Sequence, residues 1–85
     1  LAMYRVHHGM YTSLAMFWCA GDMVKLLLSK ALEKDEESVA AYHEAEKIFM
    51  SMQRLYPKIY DDTGAAQQTL NNLAEALKVT LNRVK

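Results

Sequence analysis

The apolar residues fall into three stretches, each with the three-and-four spacing of a helix. In the first, Met3, Val6, Met10, Leu14, Phe17, Val24, Leu28 and Ala31 recur at that spacing with Gly21 filling the gap, and a second row carries Tyr11, Trp18 and Leu32. This pattern predicts a helix over about 3–34. A helix with so wide an apolar surface needs contact on two sides, as in a bundle or at a dimer seam. Gly9 and Gly21 each cost roughly 1 kcal/mol against alanine in a helix. His8-Gly9 is therefore a candidate break, and Gly21 a candidate for a close helix crossing.

In the second stretch Val39, Tyr42, Ala45, Phe49, Met52 and Tyr56 form one row, flanked by Ala41, Ile48, Leu55 and Ile59. A helix over about 38–56 follows, entered through Lys34-Asp35-Glu36-Glu37-Ser38, where Asp35 or Ser38 can cap and acids suit the positive end of the dipole. Pro57 has no amide hydrogen to donate and disfavours helical angles at Tyr56. The regular helix is accordingly expected to end near Leu55, with a loose turn to Tyr60. Asp61-Asp62-Thr63-Gly64 is a strong start signal for a third helix over about 63–84. There Ala66, Leu70, Leu73, Leu77, Leu81 and Val84 share one face, and Gln67, Gln68, Asn71, Asn72, Glu75, Lys78 and Asn82 cover the other.

No strand-like alternation or hairpin dipeptide interrupts these segments. The expected fold is all-α, an antiparallel three-helix bundle with a long first helix, in a single domain over 1–85. The rows named above are its expected core. Eighty-five residues, 52% of them hydrophobic, with three glycines and one proline, fit one small globular domain and not a disordered linker.

Ten basic residues balance ten acidic ones, which gives no support to a nucleic-acid partner held by phosphate neutralisation. One cysteine makes no internal disulfide, and a cytoplasmic setting is the default. Leu14 to Leu32 is the most apolar run, but Asp22, Lys25 and Lys30 interrupt it, so no membrane span is expected. The run also lacks the order of a signal peptide. Met3 is a candidate start residue, and Leu1 and Ala2 carry no weight in this reading. Charge is uneven along the chain: from Glu33 to Glu46 six acids face one lysine, and Lys47, Arg54 and Lys58 follow. A solvated face is the preferred reading of that run; an acidic patch for a basic partner is the sharper one.

Candidate chemistry is sparse. His7 and His8 point about 100° apart on a helix, and the position four after His8 is Thr12, so they do not form a metal pair. Cys19 lies about 16 Å along the helix from His8 and is expected to be a small buried hydrophobe. Gly9, Gly21 and Gly64 are isolated, which excludes a glycine-rich phosphate loop. No catalytic residue, metal or cofactor is expected. Six methionines suit either irregular core gaps or an adaptable binding surface. Met50 lies off the main row of the second helix and is the better candidate for an exposed contact, together with Val79 on the third. On the first helix Met16 and Trp18 exceed what one seam covers, and contact with another chain is expected there.

Three short resemblances bear on function. Residues His8 to Leu14 resemble the His-box of one bacterial histidine-kinase dimerisation class, which implies histidine phosphotransfer. A surface histidine near a frayed terminus is the preferred reading of His8. Tyr42-x-x-Ala45-x-x-x-Phe49-x-x-Met52-x-x-Leu55-x-Pro57 is similar to the second half of a tetratricopeptide repeat, but no second copy follows, and a solenoid needs about three. The same residues, with Lys30-Ala31-x-x-x-Asp35 before them and Leu81-x-Arg83 after, resemble the MIT (microtubule-interacting and trafficking) domain over residues 30 to 84. Val39 to Ala45 also looks like the C-terminal MIT half of autophagy-initiating kinases. The resemblance implies a three-helix adaptor that docks a partner helix or peptide in an interhelical groove, in trafficking or autophagy. The alternative is a small bacterial or phage helical regulator or export chaperone acting as a homodimer. Either way the expected partner is a protein or a second copy of the chain.

Overall fold

Where each helix begins and ends is set by local hydrogen bonds. The computed structural model describes residues 2–84, with side chains over 14–84. Helix α1 spans Ala2–Ala31, α2 spans Ser38–Leu55 and α3 spans Ala65–Val84, with a 3-10 turn at Tyr56–Lys58. No strand occurs among the described residues. The architecture is the expected all-α three-helix bundle with a long first helix. No helix among these residues is long and apolar enough to cross a membrane.

Helix α1 passes through His8 and Gly9 without a break but stops three residues short of the expected Lys34. Its last turn tightens: the Leu32 amide donates to the Leu28 carbonyl at 3.1 Å, and the Glu33 amide donates to Lys30, a step of three, also at 3.1 Å. Lys34 then adopts a left-handed φ of 58° and turns the chain out of the helix. The apolar spacing extends to Leu32, but a backbone reversal at a lysine leaves no mark in a hydrophobic pattern.

Neither expected cap binds an amide inside α2: Glu37 holds the cap position without a side-chain bond, and Asp35 and Ser38 bond each other in the turn before it. The Asp35 amide donates to Ser38 Oγ at 2.8 Å, the Ser38 hydroxyl donates to Asp35 Oδ1 at 3.4 Å, and the Glu37 amide donates to the same oxygen at 2.9 Å. This arrangement buries Ser38 and turns Val39 outward. Val39, expected in the core, is 52% exposed. At the far end α2 stops at Leu55 as expected, and Pro57, two residues on, sits inside the 3-10 turn that closes it.

The core runs through Phe17, Val24, Leu28 and Ala31 of α1, Ala41, Tyr42, Ala45 and Met52 of α2, and Ala66, Leu70, Leu73 and Leu77 of α3. Leu14, Ile48, Phe49, Leu55, Tyr56, Ile59, Leu81 and Val84 are half-buried at its margin. Every polar residue named for the outer face of α3 is exposed. Met3, Val6, Met10 and Tyr11 lie outside the residues whose side chains are described. The three helices meet at Gly21, which is buried. A methyl placed there would lie 3.4 Å from Met52 Cε, 3.8 Å from Thr69 Cγ2 and 3.9 Å from Leu73 Cδ1. Gly21 is thus at a three-way crossing, although the space around it would accept one more carbon.

Candidate interaction surfaces

Helix α1 is ten or more residues longer than either partner helix, and it carries most of the exposed apolar bulk. Met16, Trp18, Met23 and Leu26, with Leu32 just past its end, all stand in solvent to 38% or more, with Leu26 highest at 66%. Their positions on the helix divide them. At about 100° per residue, Met16 and Trp18 lie roughly 160° apart around the axis. They therefore belong to separate surfaces that flank the buried row of Phe17, Val24 and Leu28. Trp18 shares its flank with Lys25, Ser29 and Leu32, and its ring meets that of Phe17 edge-on at a centroid distance of 5.4 Å. Met16 shares the other with Cys19, Met23 and Leu26. Cys19 is exposed and not buried as expected, because it follows Phe17 by two residues and so points away from the core.

The Trp18 flank leads into an open groove of about 540 Å³ between α1 and α3. Leu28, Leu32, Ala76 and Val79 supply its apolar floor and walls, and Lys25, Glu75 and Arg83 place charge on its rim. The groove exists because α1 packs most extensively on α2 and makes a narrower contact with α3. Val79, 42% exposed, is thereby joined to α1 through Leu32. Met50 is 50% exposed on α2, as expected, and is not part of this groove. Leu28, Leu32 and Ala76 were not singled out as contact residues by the spacing. The first belongs to a core row and is buried, so only its edge reaches the groove.

At the end of the bundle Lys30 gathers much of the acidic run. Its Nζ lies 3.3 Å from Glu37, 3.6 Å from Glu33 and 3.8 Å from Asp35. The hydrogen bond to Glu37 and the charges of Glu33 and Asp35 raise its pKa above the ordinary lysine value. Three of the acids are thus engaged within the chain, which favours the solvated-face reading of that run. A smaller recess of about 260 Å³ beside it is lined by Lys34, Asp35, Ser38 and Val39 together with Arg83 and Val84 from the end of α3.

Among the described residues no group of three or more His, Cys, Asp or Glu side chains is placed to hold a metal ion. His43 is exposed and lies 3.8 Å from Glu46 one turn on. The side chains of His7 and His8 lie outside the described residues. No protein-family model matches this chain, and no curated protein or solved structure matches it either.

Proposed function

We propose that the chain is a non-enzymatic protein-interaction domain that docks a partner helix or peptide in the groove between α1 and α3. The observation that carries this reading is the groove itself, an open apolar channel of Leu28, Leu32, Ala76 and Val79 with charged residues on its rim. An amphipathic helix laid in such a channel buries apolar residues at positions i, i+3 or i+4, and i+7. Lys25 and Arg83 on the rim favour acidic residues beside that stripe, and Glu75 favours a basic one. The likeness of residues 30 to 84 to the MIT family supports the same mode of action and points to a trafficking or autophagy adaptor in the cytoplasm.

Selection of displayed peptides against the folded domain tests the proposal. Selected sequences should share a helical apolar stripe with flanking acids. Their affinity should fall tenfold or more for Val79→Asp or Leu32→Asp, positions 42% and 40% exposed, with an unchanged helical circular dichroism spectrum as the control that the fold is kept. Peptides that bind these variants as well as the unaltered chain would place the docking surface elsewhere, and failure to select any would remove the proposal.

A further inference from the structure

The groove between α1 and α3 has two unlike ends, and one residue joins it to a second hollow. Arg83 lines both the groove and the recess of about 260 Å³ at the end of the bundle, where Lys34 stands with it. Neither cation forms an ion pair among the described residues. Asp35, the acid of the recess, is already held: it lies 3.8 Å from Lys30 and accepts the Glu37 amide at 2.9 Å. Two cations therefore meet at this end of the groove with no carboxylate of the chain to pair them. At the other end Lys25 and Glu75 stand beside Asn72, and their charges balance.

The groove also has a direction. Ala31 at the end of α1 and Val84 at the end of α3 line the recess with Ser38, the first residue of α2. Helices α1 and α3 thus run parallel, with α2 antiparallel to both and absent from the walls of the groove. From Asn72 to Arg83 the groove follows α3 for about 16 Å, three helical turns. We infer that its occupant is an amphipathic helix of three turns from a partner protein, carrying Asp or Glu in its first turn and lying antiparallel to α1 and α3. The inference rests on the groove being the docking site proposed above. Carboxylates in the first turn of a helix stabilise it through its own dipole. Those same carboxylates meet Arg83 and Lys34 only when the first turn lies at the recess. In the reverse direction the last turn lies there, and the basic residues that suit a helix C-terminus would oppose the two cations. The antiparallel direction also opposes the dipole of the docked helix to those of α1 and α3, and it completes the up-down-up-down order of a four-helix bundle.

Two synthetic peptides of one composition test this against the full chain. Both have fourteen residues, blocked termini, leucine at positions 4, 7, 8 and 11, and alanine and glutamine elsewhere. One carries three glutamates in its first turn and the other carries them in its last. In fluorescence anisotropy the acid-first peptide should bind the more tightly. It should lose about fivefold in affinity for the double variant Arg83→Gln with Lys34→Gln, the size that two exposed ion pairs supply. The acid-last peptide should lose nothing, and an unchanged helical circular dichroism spectrum is the control on the variant. A nitroxide on the first residue of the acid-first peptide should broaden the amide resonances of Leu32 to Lys34 and of Leu81 to Arg83. One on its last residue should broaden those of Lys25 and Asn72. Equal losses by the two peptides, or the reverse broadening, would overturn the inference, and loss of binding to Val79→Asp in that case would leave the groove standing as the docking site. If neither peptide binds, or Val79→Asp binds both as well as the unaltered chain does, the docking site fails and the inference fails with it.

Discussion

Tyr56 donates its phenolic hydrogen to Asp61 Oδ2 across 3.1 Å, and so ties the turn that ends α2 to the cap that begins α3. The same carboxylate accepts the Ala66 amide at 3.0 Å and the Gln67 amide at 3.1 Å. A single aspartate thereby satisfies two of the unpaired amides at the start of α3 while it fixes the path of the connection. Thr63 Oγ1 accepts a third amide, from Ala65, at 3.3 Å.

The Ala66 amide does most to hold the Asp61 carboxyl below its ordinary value; burial opposes it, and the Gln67 amide, the Tyr56 hydroxyl and the Gly64 amide add to the lowering. A pKa lowered by folding contributes stability that is complete above the unfolded value and is lost as pH falls through the folded one. Asp61→Ala should therefore lower the melting temperature at neutral pH, and the gap to the unaltered protein should narrow as the pH is taken below that of a free aspartate. Tyr56→Phe removes one donor and leaves both amides, so its effect on the same pH profile should be the smaller. A gap for Asp61→Ala that stays constant with pH would mean that the charge of the cap contributes nothing.

Gly21 gives a prediction in the stabilising direction. Its methyl would sit at 3.4 Å or more from every neighbour, within ordinary contact distance. Alanine also favours the helix, and restricting the unfolded chain at such a site is worth about 0.4–1 kcal/mol. Gly21→Ala should raise stability by that amount in urea denaturation. Gly21→Leu should lower it, since three helices converge on the space its side chain would need. A loss of stability with alanine would indicate that the helices at this crossing are closer than the distances to Met52, Thr69 and Leu73 imply.

The contrast between α3 and the start of α2 shows what a sequence pattern carries. On α3 a single apolar row faces the core and seven polar residues stand outside it, so periodicity alone places Leu70, Leu73 and Leu77 correctly. At the start of α2 the hydroxyl of Ser38 is buried in its exchange with Asp35, and the adjacent Val39 is turned to solvent. The hydrogen bonds of the preceding turn accompany that reversal, and a hydropathy row carries no information about them. The groove was illegible for a related reason. Leu32 reads as one of a second apolar row and Val79 as a lone apolar residue on another helix, and only the contact between α1 and α3 brings them to one channel.

Lys34 and Gly64 form a matched pair of left-handed positions, at φ 58° and 76°. A side chain with a Cβ pays about 1–2 kcal/mol there, and glycine does not. Lys34→Gly should therefore stabilise the fold by up to about 1 kcal/mol, and Gly64→Ala should destabilise it by a similar amount. No atom lies within 4 Å of the Cβ added at Gly64, so that loss would come from the backbone alone. Chemical denaturation of the two variants measures both signs, and equal effects in the same direction would show that neither φ controls stability.

Met16 and Trp18 are two residues apart, and the bundle assigns them different work. Trp18 is 38% exposed, and its ring packs edge-on against the fully buried Phe17. Much of its apolar area is therefore already inside the chain, where full burial of a large side chain contributes about 1.5–3 kcal/mol. Met16 is 54% exposed and has no comparable place in the core. Trp18→Ser should cost about 1–2 kcal/mol of folding stability through lost burial and the lost aromatic pair. Met16→Asp should stay within about 0.5 kcal/mol, as surface changes usually do. Urea denaturation of the two variants measures both effects. If Met16→Asp proved the more destabilising to the isolated chain, its side chain would belong to the intrachain core, and the division of α1 into two surfaces would fail.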